Sequence, residues 1–120
     1  YSQFTFQDGV LIAKAIHEYK VMFSDKKTEK LTFYADEIKS LNNQFIAYQV
    51  QDRWGIYDIK NKKLISLNIY DQVRIFQDTL FWCAYKSKIG ILNTKGRYVI
   101  SPQWDEITQI HQKLWCVALF

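Results

Sequence analysis

Glycine and proline are scarce in this chain, at four and one in 120 residues. That excludes a flexible linker or a proline-rich spacer and implies tight, well-specified turns. Cysteine and histidine number two each, and no pair of them stands at a metal-site spacing such as C-x2-C or H-x3-H. No zinc site is therefore expected from His17, His111, Cys83 and Cys116, and a histidine-activated cysteine has no local signature either. No apolar run approaches the roughly 20 residues that a spanning helix requires, so no membrane span is expected. A G-x-S-x-G elbow and a phosphate-cradling glycine loop are both missing. The first residue is Tyr1 with no basic-then-apolar leader, so either a leader has been removed or the chain is a piece of something longer, and compartment cannot be read here.

What is present is the composition of an ordinary globular domain: 48% hydrophobic and 23% charged residues, with a net charge of +4. The length allows one comfortable domain. The mild basicity does not by itself select nucleic acid or membrane as partner.

The dominant feature is a repeat. Asp52 to Val73 returns 35 positions later as Ser87 to Ile107, with Trp54-Gly55 falling on Ile89-Gly90 and Asp58 on Asn93. Asn61 falls on Gly96 and Leu64-Ile65 on Val99-Ile100; dropping one residue puts Tyr70-Asp71-Gln72-Val73 on Trp104-Asp105-Glu106-Ile107. A weaker copy precedes these, in which Val10 to Ala13 takes the place of Phe45 to Tyr48, Tyr19-Lys20 that of Trp54-Gly55, and Ala35 to Ile38 that of Tyr70 to Val73. The units are about 10–44, 45–79 and 80–113, with partial units at both ends. Repetition at this period means similar small units, each burying its apolar face on the next.

Within each unit, short runs rich in Ile, Val, Tyr, Phe and Trp alternate with polar clusters and lack a 3.6-residue period, which predicts strands. The second unit is expected to hold strands near 45–51, 53–58, 63–67 and 72–76, and the third near 80–86, 88–93, 97–101 and 106–109. The fold class is therefore all-β: tandem antiparallel hairpins in about three units of 35 residues, as an open array or a closed trefoil- or propeller-like arrangement. Asn93 to Gly96 predicts a type I turn closed by a left-handed glycine, with Asn61 taking that glycine's role one unit earlier. Gly55 and Gly90 lie inside strands, where glycine costs packing and backbone entropy. An aromatic ring from a neighbouring unit, among Trp82, Trp104, Tyr70 and Trp115, is expected to lie on the bare backbone. The two cysteines sit one place out of register in aligned strands, so two buried free thiols are expected in preference to a disulfide.

These residues resemble the WG repeat, a bacterial β-repeat named for its Trp-Gly pair. Arg53-Trp54-Gly55-Ile56-Tyr57-Asp58 carries the first half of the pattern, and Gly96 to Pro102 with Trp104-Asp105-Glu106-Ile107 the second. The resemblance covers about Val10 to the end, with departures where Ile89 replaces Trp and Tyr19-Lys20 lacks the glycine. It implies a non-enzymatic module with no cofactor and no catalytic residues to carry over.

Two sets of recurring charges bear on function. Asp36, Asp71 and Asp105 recur with the repeat, and capping of free backbone N–H groups is a stronger reading of them than a calcium ladder. Lys26, Lys27 and Lys30, then Lys60, Lys62 and Lys63, then Lys95 and Arg97 fall at the same hairpin turn of successive units. Units stacked in order would align these turns into a basic ridge able to attract polyanions or nucleic acid. Soluble exposed turns and blunted sheet edges are the favoured explanation of them. The expected function is a macromolecule-binding repeat module, most plausibly for another protein, with polyanion or nucleic-acid binding through the ridge as the alternative.

Overall fold

The structure is a computed structural model, which describes the backbone of residues 3–7, 10–15, 18–23, 30–77, 79–111 and 114–120, and side chains within 35–77, 79–109 and 115–120. The described residues form strands and turns with no helix. By contacts the chain divides into two compact units, 1–68 and 69–120.

The first unit begins with β1 (Gln3–Gln7), β2 (Val10–Ala15), β3 (Glu18–Phe23) and β4 (Lys30–Tyr34), hydrogen-bonded in chain order. The next sheet holds β5 (Glu37–Ser40), β6 (Phe45–Val50), β7 (Arg53–Asp58) and β8 (Lys63–Tyr70), again in chain order. In the second unit, β9 (Gln72–Gln77), β10 (Leu80–Tyr85), β11 (Lys88–Asn93) and β12 (Tyr98–Trp104) form a third meander. β13 (Glu106–His111) and β14 (Leu114–Ala118) make a two-stranded sheet. Every recorded pairing is antiparallel. Each four-stranded sheet taken alone has the form of a propeller blade.

The sheets are out of phase with the sequence units by one strand. The unit 45–79 contains β6 to β9, whereas its sheet contains β5 to β8. The last strand of each sequence unit thus opens the next sheet, as when the Asp71 N–H bonds the Ala84 carbonyl at 2.8 Å. A repeat fixes a period but no origin, because only cross-strand hydrogen bonds say which four strands belong together.

Burial follows position in the sheet. Ile46, Ala47 and Ile56 on β6 and β7, and Phe81, Ile91 and Leu92 on β10 and β11, are all but inaccessible. Central strands are covered on both faces, so their sequences read as nearly continuous apolar runs. The terminal strands β8 and β12 expose Leu64, Leu67, Tyr98 and Val99. In the first unit Ala35, Ile38, Ile46 and Ile59 form a core cluster backed by Tyr48, Val50 and Tyr57. In the second, Ala84, Ile89, Ile91 and Ile107 pack with Phe76, Trp82, Trp104 and Val117.

Several turns differ from expectation. Gly96 is left-handed at φ 76°, as the sequence suggests, but in the preceding copy the left-handed residue is Lys62, not Asn61. The cause is Asp58, whose buried carboxylate accepts the Lys60 and Asn61 N–H groups and the Asn61 side-chain amide, the last at 2.8 Å. Asn61 is committed to that carboxylate, so the reversal passes to the next residue. The two-residue hairpins Gln51-Asp52 and Lys86-Ser87 both have φ between 50° and 68°, the requirement of a type I′ turn, without any glycine.

Pro102 falls inside β12, which runs on to Trp104. It is tolerated there because β12 is an edge strand whose register with β11 shifts between Ile89 and Ile91.

Candidate functional site

Gly55 and Gly90 occupy matching cross-strand positions, opposite Tyr48 and Cys83 respectively. Neither is covered by a ring from a neighbouring unit, which corrects the expectation for Trp82, Trp104, Tyr70 and Trp115. A Cβ on Gly55 would lie 2.6 Å from Cε1 of Tyr48, on the adjacent strand of the same sheet. That phenol reaches across β7 and donates to the Ser66 carbonyl of β8 at 2.8 Å. At Gly90 the obstacle is backbone: a Cβ would meet Ile100 O and Pro102 N of β12, each at 2.8 Å. Two glycines at one register position therefore answer two different crowding problems. Sequence identity at the position gave no sign of this, because the obstructing groups lie 7 residues from Gly55 and 10 and 12 from Gly90.

Cys83 has the small side chain where Tyr48 stands in the other sheet. It donates weakly to the Gly90 carbonyl at 3.4 Å, and burial, only partly offset by the Tyr70 hydroxyl, pushes its thiol up to about 12. Tyr70 shares a 2.7 Å hydroxyl–hydroxyl bond with Tyr98, and burial raises both phenols. Cys116 is exposed, so only one of the two free thiols is buried. The single-residue offset between the aligned strands turns Cys83 inward and Cys116 outward, which is also why they cannot bridge.

The recurring aspartates repeat their geometry. Asp36, Asp71 and Asp105 accept the backbone N–H of Gln51, Ser87 and Phe120 at 2.9, 3.4 and 2.7 Å. Their own N–H groups bond Gln49, Ala84 and Ala118 carbonyls, each at 2.8 Å. Each carboxylate thus reaches a backbone N–H just beyond the second strand after it, β6, β10 or β14. Lys88 also donates to Asp105 at 2.6 Å, and this bond with the Phe120 N–H holds that carboxyl below its usual range. Among the described residues no group of three His, Cys, Asp or Glu side chains could hold a metal ion.

Of the basic turn residues, Lys26 and Lys27 lie outside the described residues, as does His17. Lys60, Lys62 and Lys63 are exposed at the β7–β8 turn of the first unit, and Lys95 and Arg97 at the β11–β12 turn of the second. Trp54 is half-buried on β7 with the Lys39 ammonium 4.7 Å from its ring centre.

Two features have no forewarning in the sequence reading. One is the aliphatic surface of the terminal strand β8, where Leu64 and Leu67 are 50% and 62% exposed. The other is an open cleft of about 400 Å³ in the second unit, lined by Arg74, Phe76, Trp82 and Ile89 and by residues 105–109. The Arg74 guanidinium stacks 3.9 Å over the Trp82 ring. The sequence repeats a basic residue at this place in two copies, Lys39 and Arg74, but the tryptophan beside each is a spatial neighbour that the repeat does not align.

Fold and surface together define a protein of tandem β-hairpin repeats. Residues 89–114 match the family model of the WG containing repeat. The matched stretch runs from β11 to the start of β14 and omits Trp54-Gly55, so the aliphatic, turn and aromatic-Asp positions carry the match. No curated protein matches the chain. Among solved structures, the crystal structure of Kluyvelomyces marxianus Hsv2 aligns with a TM-score of 0.50 at 10% identity. The alignment covers 82% of this chain and 37% of that one, and it concerns fold alone.

Proposed function

We propose that this chain is a non-enzymatic module that binds another protein. The observation that carries the reading is the exposure of Leu64 and Leu67 on β8, the terminal strand of a sheet. A terminal strand exposes unpaired backbone groups, and natural proteins ordinarily blunt such edges with charge, not leucine. Apolar side chains beside an open edge are the surface a partner strand or helix covers. The WG repeat over residues 89–114 supports a repeat module.

The test is capture from the source cell, bacterial if the resemblance holds, with the parent chain and with Leu64→Glu/Leu67→Glu side by side. One protein retained by the parent and lost with the double variant is the expected result. Retention that ignores the substitution overturns the assignment to these two leucines.

Nucleic-acid or polyanion binding is the second reading, favoured by the exposure of Lys60, Lys62, Lys63, Lys95 and Arg97. It requires binding that weakens steeply with salt, with a slope of about 0.9 per phosphate contact on duplex DNA. Lys60→Glu/Lys62→Glu/Lys63→Glu would abolish it while sparing protein capture.

A further inference from the structure

We propose that the cleft of the second unit takes an extended acidic peptide segment, added as a strand along the open edge of β13, with its carboxylate on Arg74. The assignment rests on the reading of the chain as a protein-binding module and names a site and ligand chemistry for it.

The shape of the lining carries the argument. Residues 105–109 line the cleft consecutively, and so do 74–76 on the opposite wall. Alternate residues of a strand face opposite ways, so a consecutive run around one cavity means that the strand presents its edge. Among the described strands β13 is hydrogen-bonded to β14 alone, and β9 is the terminal strand of its sheet. Both walls therefore carry backbone N–H and C=O groups without a strand partner, the surface used when a peptide adds to a sheet.

Between them Phe76, Trp82, Ile89 and Ile107 form an apolar floor. The fluorescence of Trp82 makes that floor observable.

Charge selects the peptide. Arg74 lies over Trp82, and no carboxylate among the described residues pairs with it. The acids of the other wall are already engaged: Asp105 by Lys88 and the Phe120 N–H, and Glu106 by the Thr108 hydroxyl at 3.2 Å. Among the described residues the cleft offers no carboxylate to Arg74.

The probe is a labelled pentapeptide alternating Val and Glu, beginning and ending on Val, followed by anisotropy, tryptophan fluorescence and amide NMR shifts. Binding is expected to move the Ile107, Thr108 and Gln109 amides and the Trp82 indole. Arg74→Glu should weaken it by about tenfold or more and favour a Val–Lys peptide instead. Arg74→Gln should give an intermediate loss. Alternate N-methylation of the peptide backbone should also weaken it by about tenfold, since edge pairing needs those N–H groups. Denaturation curves of both Arg74 variants check that they remain folded.

No binding, equal binding by Arg74→Glu, or shifts confined to other residues overturns the proposal. If the peptide fails while protein capture still depends on Leu64 and Leu67, the cleft assignment falls and the module reading stands. Failure of both removes the module reading as well.

Discussion

Replacing Gly55 with alanine tests the packing of the repeat most directly, because the structure names the group that must yield. The new Cβ would lie inside the space of the Tyr48 ring, 2.6 Å from Cε1. The ring has to leave, breaking its bond to the Ser66 carbonyl, worth about 1 kcal/mol net. Re-exposing roughly 50–80 Å² of ring surface costs about 1–2 kcal/mol more. Alanine returns about 0.5–1 kcal/mol relative to glycine in a strand. The expected loss is about 2 kcal/mol, or on the order of 8 °C in Tm for a domain of this size, and about 3 kcal/mol for valine. Urea denaturation followed by tryptophan fluorescence reads it. In a Tyr48→Ala background the same Gly55→Ala change should cost nothing or stabilise slightly, giving a coupling of about 2–3 kcal/mol. Gly90→Ala has no such remedy, since Ile100 O and Pro102 N are backbone and Cys83→Ala moves neither. An equal Gly55→Ala penalty with and without the Tyr48 ring would refute the steric explanation.

Four further outcomes follow from the same structure. Gln51→Asn with Asp52→Gly should stabilise by about 1 kcal/mol, since both turn residues have positive φ, which Gln51 suits poorly and Asp52 less well than glycine; a denaturation midpoint checks this. Ellman titration should count one thiol in the native chain, Cys116, and two in denaturant. The Cys83 thiol is raised to about 12 in the fold, so its contribution is complete below its unfolded pKa and lost as pH climbs from about 9 toward 12; Cys83→Val should remove the first part of that loss, before the tyrosines ionise. Asp105 is lowered in the fold, chiefly by the Lys88 bond, so its contribution is present above about pH 4 and lost as pH falls through the folded value; Lys88→Met should shrink that acid-side loss in a pH series of urea midpoints.

Much of the secondary structure was legible because apolar runs and turn residues are local signals. The stretches 53–58 and 88–93 coincide with β7 and β11, and the remaining strands of the second and third units differ only at their ends. β8 and β12 run three residues further than their apolar runs, through Asn68 and Pro102, because an edge strand tolerates polar residues and proline that a central one does not. The left-handed residue was misplaced at Asn61 for a related reason. Preference for positive φ is a property of one residue, whereas the hydrogen bonds that held Asn61 back come from Asp58.

The candidate cleft was not legible at all. Arg74, Phe76 and Trp82 read as parts of apolar strands, and only the pairing of β9 with β10 and of β13 with β14 shows which edges are open.

The sequence by itself determined the class of structure, the period, the strands and the reversals between them, because each depends on residues within a few positions of one another. Only the tertiary structure decided which four strands share a sheet, which cysteine faces inward, and that one glycine yields to a phenol and the other to a backbone. Those outcomes depend on hydrogen bonds and contacts between strands, and a linear pattern carries no record of which strand lies beside which.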